Sequence, residues 1–230
     1  MNLILLFEDD FIAEGRVRLT GRRLEHVTNV HRAAIGDELV VGVAAGRIGR
    51  GRIMQLGDAL EMEVTLDREP PAPLPLTLIL AVPRPKVLNR VIAGAASLGV
   101  KRIVLVNAWR VEKSYWKSPR MSEETLREQS ILGLEQARDT ILPVVEQRRL
   151  FRPFVEEESF EGLKLVAHPG AVRECPRALT EHVTLAIGPE GGFIAAEVES
   201  LQRAGFEAVS LGDRILRVET AVAALIARLF

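Results

Sequence analysis

Two glycine-bearing segments near the end of this 230-residue chain carry the residue types best suited to holding a ligand. The first is Gly188-Pro189-Glu190-Gly191-Gly192-Phe193. The second is Leu211-Gly212-Asp213-Arg214-Ile215-Leu216-Arg217. Gly188, Gly191 and Gly192 lack a Cβ, so a ligand can approach the backbone and φ can be positive. Pro189 stiffens the turn and Glu190 adds one carboxylate. Read alone, this segment is equally a tight turn between a strand and a helix. In the second segment, Ile215 and Leu216 sit between Arg214 and Arg217. Glu219 and Thr220 suit a helix N-terminus, but that does not explain the apolar pair. Apolar side chains there can line a flat ligand such as an adenine, with backbone groups reading its edge.

Other chemistries lack their residues. The chain contains no G-x-x-x-x-G-K-[ST] loop, no G-x-G-x-x-G after a strand, no H-E-x-x-H and no G-x-S-x-G. His26, His31, His168 and His182 show no ligand spacing. The single cysteine, Cys175, excludes an internal disulfide and argues against a thiolate metal site. No metal is expected. One free cysteine also suits a reducing compartment. The apolar stretch within Met1–Asp10 is too short for a membrane span and has no basic flank. A cytoplasmic protein opening on a β-strand is the expectation.

The elements that must position these segments follow from periodicity. The apolar runs 183–187 and 208–211 precede the two loops and read as buried strands of a parallel sheet. Ligands of open α/β sheets sit beyond the carboxyl ends of such strands. A helix over 195–204 separates the two loops, and another closes the chain over 219–230. Upstream, strands are expected at 76–82, 102–106, 143–146 and 163–167. Helices are expected over 86–98 and from a Ser122 cap to about Asp139. Strands alternating with helices predict an α/β unit whose parallel sheet is covered on both faces.

The sharpest break in composition is Pro70-Pro71-Ala72-Pro73-Leu74-Pro75, where neither helix nor central strand can continue. It reads as an extended linker between residues 1–69 and 76–230. The first segment shows short alternating strands at 37–43, 47–54 and 60–66 and a short helix over 22–30, which suggests a small β-barrel. Its charge is uneven. Between Arg16 and Arg52 lie eight arginines and three acids, although the whole chain has a net charge of −1. Phosphate binding needs such a patch; a solvated arginine-rich surface accounts for it too.

The two late loops together, GPEGGF at 188–193 and LGDRILRVETA at 211–221, resemble the knotted SPOUT-class RNA methyltransferases. The match is to the ribosomal RNA small subunit methyltransferase E family, which makes N3-methyluridine in 16S ribosomal RNA. Further similarity runs along the chain. His26 and His31-Arg32-Ala33-Ala34-Ile35-Gly36-Asp37 are similar to the family's H-x-x-x-V-x-R-x-x-x-G-D signature. Lys86 with Ser97-Leu98-Gly99-Val100 resembles its helix ending in E-L-G-V, and Glu135-Gln136-Ala137-Arg138 its E-Q-x-x-R. Three positions depart from the pattern: Ser97 replaces Glu, Lys113 replaces Arg in T-E-R-S, and Val218 replaces Thr.

The resemblance implies a PUA-like β-barrel over 1–69 that handles RNA, and a SPOUT α/β domain over 76–230 with a deep trefoil knot. It implies S-adenosylmethionine as cofactor, a homodimer, and 16S ribosomal RNA or the small ribosomal subunit as partner. By position the cofactor residues are Ala167, His168 and Gly170 in one loop; Ile187, Gly188, Glu190, Gly191 and Gly192 in the next; and Leu211, Gly212, Ile215, Leu216 and Arg217 in the last. Arg217 is expected to stabilise the uracil anion. Glu190 is expected to serve as base or orienting group, with a turn-stabilising role equally open. Expected RNA contacts are Arg16, Arg18, Arg22, Arg23, Arg32, Lys86, Lys113 and Lys117. Tyr115 and Trp116 fit either a stacked base or the subunit interface. Rival readings are methylation of another RNA or another atom, a non-catalytic assembly factor, and a metabolic α/β enzyme acting on an anionic small molecule.

Overall fold

A computed structural model describes residues 2–230; Met1, the first residue of the expected opening strand, lies outside them. The chain forms two compact units. One comprises Met1–Ala72 with Ile131–Leu142, the other Pro73–Ser130 with Pro143–Phe230. Each has its own core of buried apolar side chains.

In the first unit six strands form one sheet: β1 (Ile4–Leu6), β2 (Phe11–Ala13), β3 (Arg16–Leu19), β4 (Glu38–Val43), β5 (Ile48–Leu56) and β6 (Leu60–Arg68). Their order is β1-β4-β5-β6-β3-β2, with only β1 and β4 parallel. Among the described residues no pairing joins β1 to β2, so the sheet keeps two edges where a closed barrel was expected. Strand alternation sets the faces. Val17 and Leu19 point inward from β3 while Arg16 and Arg18 point outward. The expected helix over 22–30 is divided: α1 (Gly21–His26) runs into a π-helical turn, Val27–His31, and Arg32 ends it at φ 53°. The Thr28 hydroxyl donates to Leu24 O at 2.9 Å, one reason the regular ladder loosens there.

Two carboxylates fasten this unit. Asp10 accepts from Phe7 N–H at 2.7 Å and from both Arg23 terminal nitrogens at 2.6 Å each. Glu135, only 2% exposed, accepts from Arg22 at 2.9 Å.

The second unit contains β7 (Leu76–Ala81), β8 (Arg102–Val106), β9 (Val144–Arg148), β10 (Leu163–Ala167), β11 (Val183–Ile187) and β12 (Glu207–Val209). They form an all-parallel sheet in the order β12-β10-β11-β7-β8-β9. Every residue of β7 and β11 is buried, so both faces of the sheet are covered there, as uninterrupted apolar runs require. The helices are α2 (Pro85–Ser97), α3 (Glu123–Ala137), α4 (Phe151–Glu157), α5 (Ala195–Arg203) and α6 (Val218–Leu229). Ser122 Oγ accepts from Thr125 N–H at 3.2 Å and caps α3 as the sequence suggests. Helix α4 was not legible: at seven residues it is too short to show a period, although Pro153 fits its first turn, where no N–H is needed.

The Asp10–Arg23 pair generates a prediction. Asp10→Ala leaves a half-buried guanidinium and the Phe7 N–H without their acceptor. Stability should fall by about 3 kcal/mol, read from the midpoint of urea unfolding; a loss below about 0.5 kcal/mol would place the pair among ordinary surface ion pairs.

Candidate functional site

Strands β10, β11 and β12 end level with one another, and the loop after each contributes to one cavity. Ala167 ends β10 and His168 follows it; Ile187 ends β11, and Gly188, Glu190 and Gly192 come from the loop after it. Leu211, Gly212, Ile215 and Leu216 come from the loop after β12. Ten of the residues expected to hold a cofactor therefore share one wall-to-wall space. About 650 Å³ of it is free of atoms, open solvent at the mouth included. Hydrogen bonds set the loop shapes. His168 N–H donates to Val209 O at 2.9 Å, and Gly192 N–H closes a turn on Pro189 O at 2.7 Å. Gly212 N–H donates to Ser210 Oγ at 3.2 Å.

Three expected residues, Gly170, Gly191 and Arg217, are not in the lining. Gly170 N–H instead donates to His168 Nδ1 at 3.1 Å, which shapes the turn. Pro169, Pro189 and Arg214, from within the three expected loops, also line the cavity; the sequence reading missed Val209 at the end of β12, Ser210 after it, and Val218, Ala221 and Leu225 from α6. The last three had a usable signal. They recur at helical spacing, so the face of α6 turned to the loops was readable once the loops were known to surround it.

Around the mouth the polar groups are tied together. Arg84 N–H donates to Glu190 Oε1 at 2.9 Å. The Arg110 side chain donates to Gly191 O. Tyr115 O–H donates to Glu112 Oε1 at 3.2 Å. Burial first, then Glu112 and Glu190, raise the Tyr115 phenol above its ordinary pKa, against a hydrogen bond with Arg84, so it stays neutral near pH 7. Arg217 caps α6 in extended conformation, is exposed, and has no ion pair among the described residues.

The expected RNA contacts are placed differently from one another. Arg16 and Arg18 both face Glu61, at 3.6 and 3.9 Å. Arg22 is engaged by Glu135 and Arg23 by Asp10. Arg47 and Arg50, from the same basic stretch, pair with Glu69 at 2.7 Å and Glu38 at 3.3 Å. The patch read from residues 16–52 is thus largely compensated by acids, several of them outside that window. Arg32 remains exposed in the first unit. Lys86, Lys113 and Lys117 are exposed in the second. Tyr115 and Trp116 are half-buried against the core of their unit. Trp116 donates Nε1–H to Asn107 at 2.9 Å and lies under Arg149.

A model of the RNA methyltransferase domain family matches residues 70–230. Ribosomal RNA small subunit methyltransferase E of Treponema pallidum is 31% identical over 96% of this chain and 88% of its own length. The protein of that name from a Synechocystis species is 29% identical over 98% of this chain and 76% of its own length. A crystal structure of ribosomal RNA small subunit methyltransferase E from Neisseria gonorrhoeae, bound to S-adenosyl methionine, has a TM-score of 0.76 and 26% identity. It covers 99% of this chain and 95% of that one.

The two glycines of the middle loop should behave differently. A Cβ on Gly188 would stand 2.8 Å from Phe193 N and 3.1 Å from Gly192 carbons, all backbone. The atoms nearest a Cβ on Gly191 all belong to the Arg110 side chain, which is exposed and can shift at the cost of its hydrogen bond to Gly191 O. Gly188→Ala should therefore cost about 2 kcal/mol in urea unfolding and Gly191→Ala about 1 kcal/mol or less. Equal losses would contradict this geometry.

Proposed function

The chain belongs to the RNA methyltransferase domain family and, within it, to ribosomal RNA small subunit methyltransferase E, and we propose from that membership that it methylates N3 of one uridine in 16S ribosomal RNA, using S-adenosylmethionine. The observation that carries the reading is the cavity itself, walled by the loops after three adjacent parallel strands. Its residues fit such a cofactor. Leu211, Leu216 and Leu225 offer apolar walls for a flat ring, and Gly188, Gly192 and Gly212 leave backbone N–H and C=O groups approachable. When bound, the cofactor supplies an electrophilic methyl group.

The remaining work falls to the chain's own residues. Uracil N3 lies on the Watson–Crick edge, so the target base must be unpaired or flipped out. N3 also carries a proton that must leave, and the charge left on the ring needs a partner. We assign that role to Arg217, which lies next to the cavity lining rather than in it. Its guanidinium has no ion pair among the described residues, it follows Leu216 in the cavity wall, and it caps the positive end of α6. Glu190 also lines the cavity; its bond from Arg84 N–H holds the carboxylate in place and favours orienting the base over accepting its proton. The apolar walls keep water away.

The finer architecture belongs to the same proposal. Residues 1–69 act as a PUA-like barrel for RNA, 70–75 as a linker, and 76–230 as a SPOUT domain with a deep trefoil knot. The segment 174–179 is hydrogen-bonded to the last turn of α6, which is compatible with such a knot. Arg228 donates to Cys175 O at 2.7 Å and Glu174 at 2.8 Å, and Leu179 N–H donates to Leu229 O at 2.6 Å. The enzyme works in the cytoplasm as a homodimer. Among the described residues no helix is long and apolar enough to cross a membrane, and no His, Cys, Asp and Glu group could hold a metal ion.

The experiment that tests the reading is incubation of small-subunit ribosomal RNA with the protein and labelled methyl donor, followed by mass spectrometry of nucleosides. One N3-methyluridine is expected; a label on another nucleoside, or none, would overturn it. Ala221→Phe places a ring in the cavity from α6 and should weaken cofactor binding at least about tenfold in calorimetry, with the circular dichroism unchanged. Arg217→Ala should lower turnover by about a hundredfold or more while cofactor affinity stays within about twofold. Unchanged turnover would remove Arg217 from the mechanism.

A further inference from the structure

The most exposed aromatic side chain of the second unit has no part in the chemistry above. Trp109 is 79% exposed, whereas its neighbours Ala108 and Val111 are buried. Trp109 and Arg110 form the apex of a turn closed by Val111 N–H donating to Ala108 O at 3.0 Å. The turn is fastened twice more. Trp109 N–H donates at 2.7 Å to Glu197, a carboxylate only 8% exposed whose other oxygen accepts from Ile194 N–H at 3.0 Å. The Arg110 side chain donates to Gly191 O. A large apolar ring is thus held in water by a backbone that cannot withdraw it. Burying an indole of this size is strongly favourable, so a ligand that covers the ring gains from it.

The ring lines a second, open cavity, separate from the first. Its other walls include Asn107, Phe151, Arg152, Ser200 and Arg203. Phe151 packs on Phe193 at 5.6 Å between ring centres, so the cavity rests on the end of the same loop whose Glu190 and Gly192 line the first. Arg152 pairs with Glu156 at 2.7 Å, both side chains being exposed and so able to exchange partners, and Arg203 donates to Ser200 Oγ at 3.0 Å; with the flat indole these groups match a nucleotide whose phosphate takes the place of Glu156. Glu199 stands at the edge, and Glu197 is already engaged by two N–H groups.

We propose that Trp109 and the cavity beside it form a binding site for an unpaired nucleotide of the RNA, the base stacking on the indole and the phosphate meeting Arg152 and Arg203. This rests on the reading of the chain as an RNA-modifying enzyme. Stacking on an aromatic is tolerant of sequence, and a turn already ordered loses little freedom on binding. The site puts RNA contacts on the unit that holds the cofactor cavity.

The test uses the full chain and a short single-stranded oligouridylate. In Trp116→Phe, Trp109 is the remaining indole, and its emission should be quenched on titration. Trp109→Ala should raise the oligonucleotide Kd about five- to a hundredfold, with Trp109→Phe recovering most of the loss. Arg152→Ala and Arg203→Ala should each reduce the slope of log affinity against log salt by about 0.7. An unchanged Kd in Trp109→Ala overturns the proposal. So does a shift of that variant from dimer to monomer in sedimentation, which would make the indole a subunit contact. Methyl transfer by the unsubstituted chain is read separately. Transfer with an unchanged Kd in Trp109→Ala removes this site alone; tryptophan-dependent binding without transfer removes the methylation reading alone.

Discussion

Ala167 ends β10 in register with Ile187 of β11 on one side and Val209 of β12 on the other. That three-way pairing is the constraint on which the second unit depends. Parallel strands are joined by evenly spaced backbone hydrogen bonds, so three strands ending in register release three loops at one level and one edge. The loops then have no room to diverge. His168 N–H reaches across to Val209 O, and the turn at Pro189–Gly192 folds back over the space between them. Helix α6 closes the remaining side with Val218, Ala221 and Leu225. The cavity is a consequence of strand order. The strand that supplies the first loop in sequence lies between the strands that supply the other two.

The same economy governs the polar groups near the mouth. Glu190, Gly191 and Glu197 belong to one stretch of chain, and each takes a hydrogen bond from a different residue of the sheet's other loops: Arg84, Arg110 and Trp109. A short glycine-rich loop would otherwise lose much conformational entropy on ordering. These bonds order it in advance. They also fix what lies outside it, because the turn that presents Trp109 hangs on Glu197. Tyr115, held among Arg84, Glu112 and Glu190, is a neutral phenol near pH 7, and burial raises its pKa further.

In the first unit electrostatics follow from folding rather than from composition. Six of the eight arginines between Arg16 and Arg52 have an acidic partner within 4 Å. Glu61, Glu69, Asp10 and Glu135 come from other stretches of the chain. Pairs such as Arg16–Glu61 are solvent-exposed and weak, and leave those side chains able to exchange partners. Arg23 is different. Both its terminal nitrogens are engaged by Asp10 while one also donates to Leu5 O, so it serves the fold.

The strands and the longer helices of the second unit were legible in the sequence because their burial is uniform or periodic; the seven-residue α4 was not. Leu76–Ala81 and Val183–Ile187 read as strands buried on both faces, and they are. The two glycine loops were legible for a chemical reason: few roles demand Gly, Pro, Glu and an Ile–Leu pair at strand ends. What the sequence by itself determined was therefore most elements of the second unit and the chemistry of the loops. Only the tertiary structure decided which of their residues meet. It turned Gly191 toward Arg110 and away from the cavity, and it brought in Ala221 and Leu225, which look like any apolar helix face. It returned residues 131–142 to the first unit, where Glu135 is buried. It half-buried Trp116 and exposed Trp109, two identical side chains seven positions apart. Local sequence sets backbone preference and side-chain chemistry; burial, charge compensation and the lining of a cavity depend on partners remote in the chain, and those exist only once it has folded.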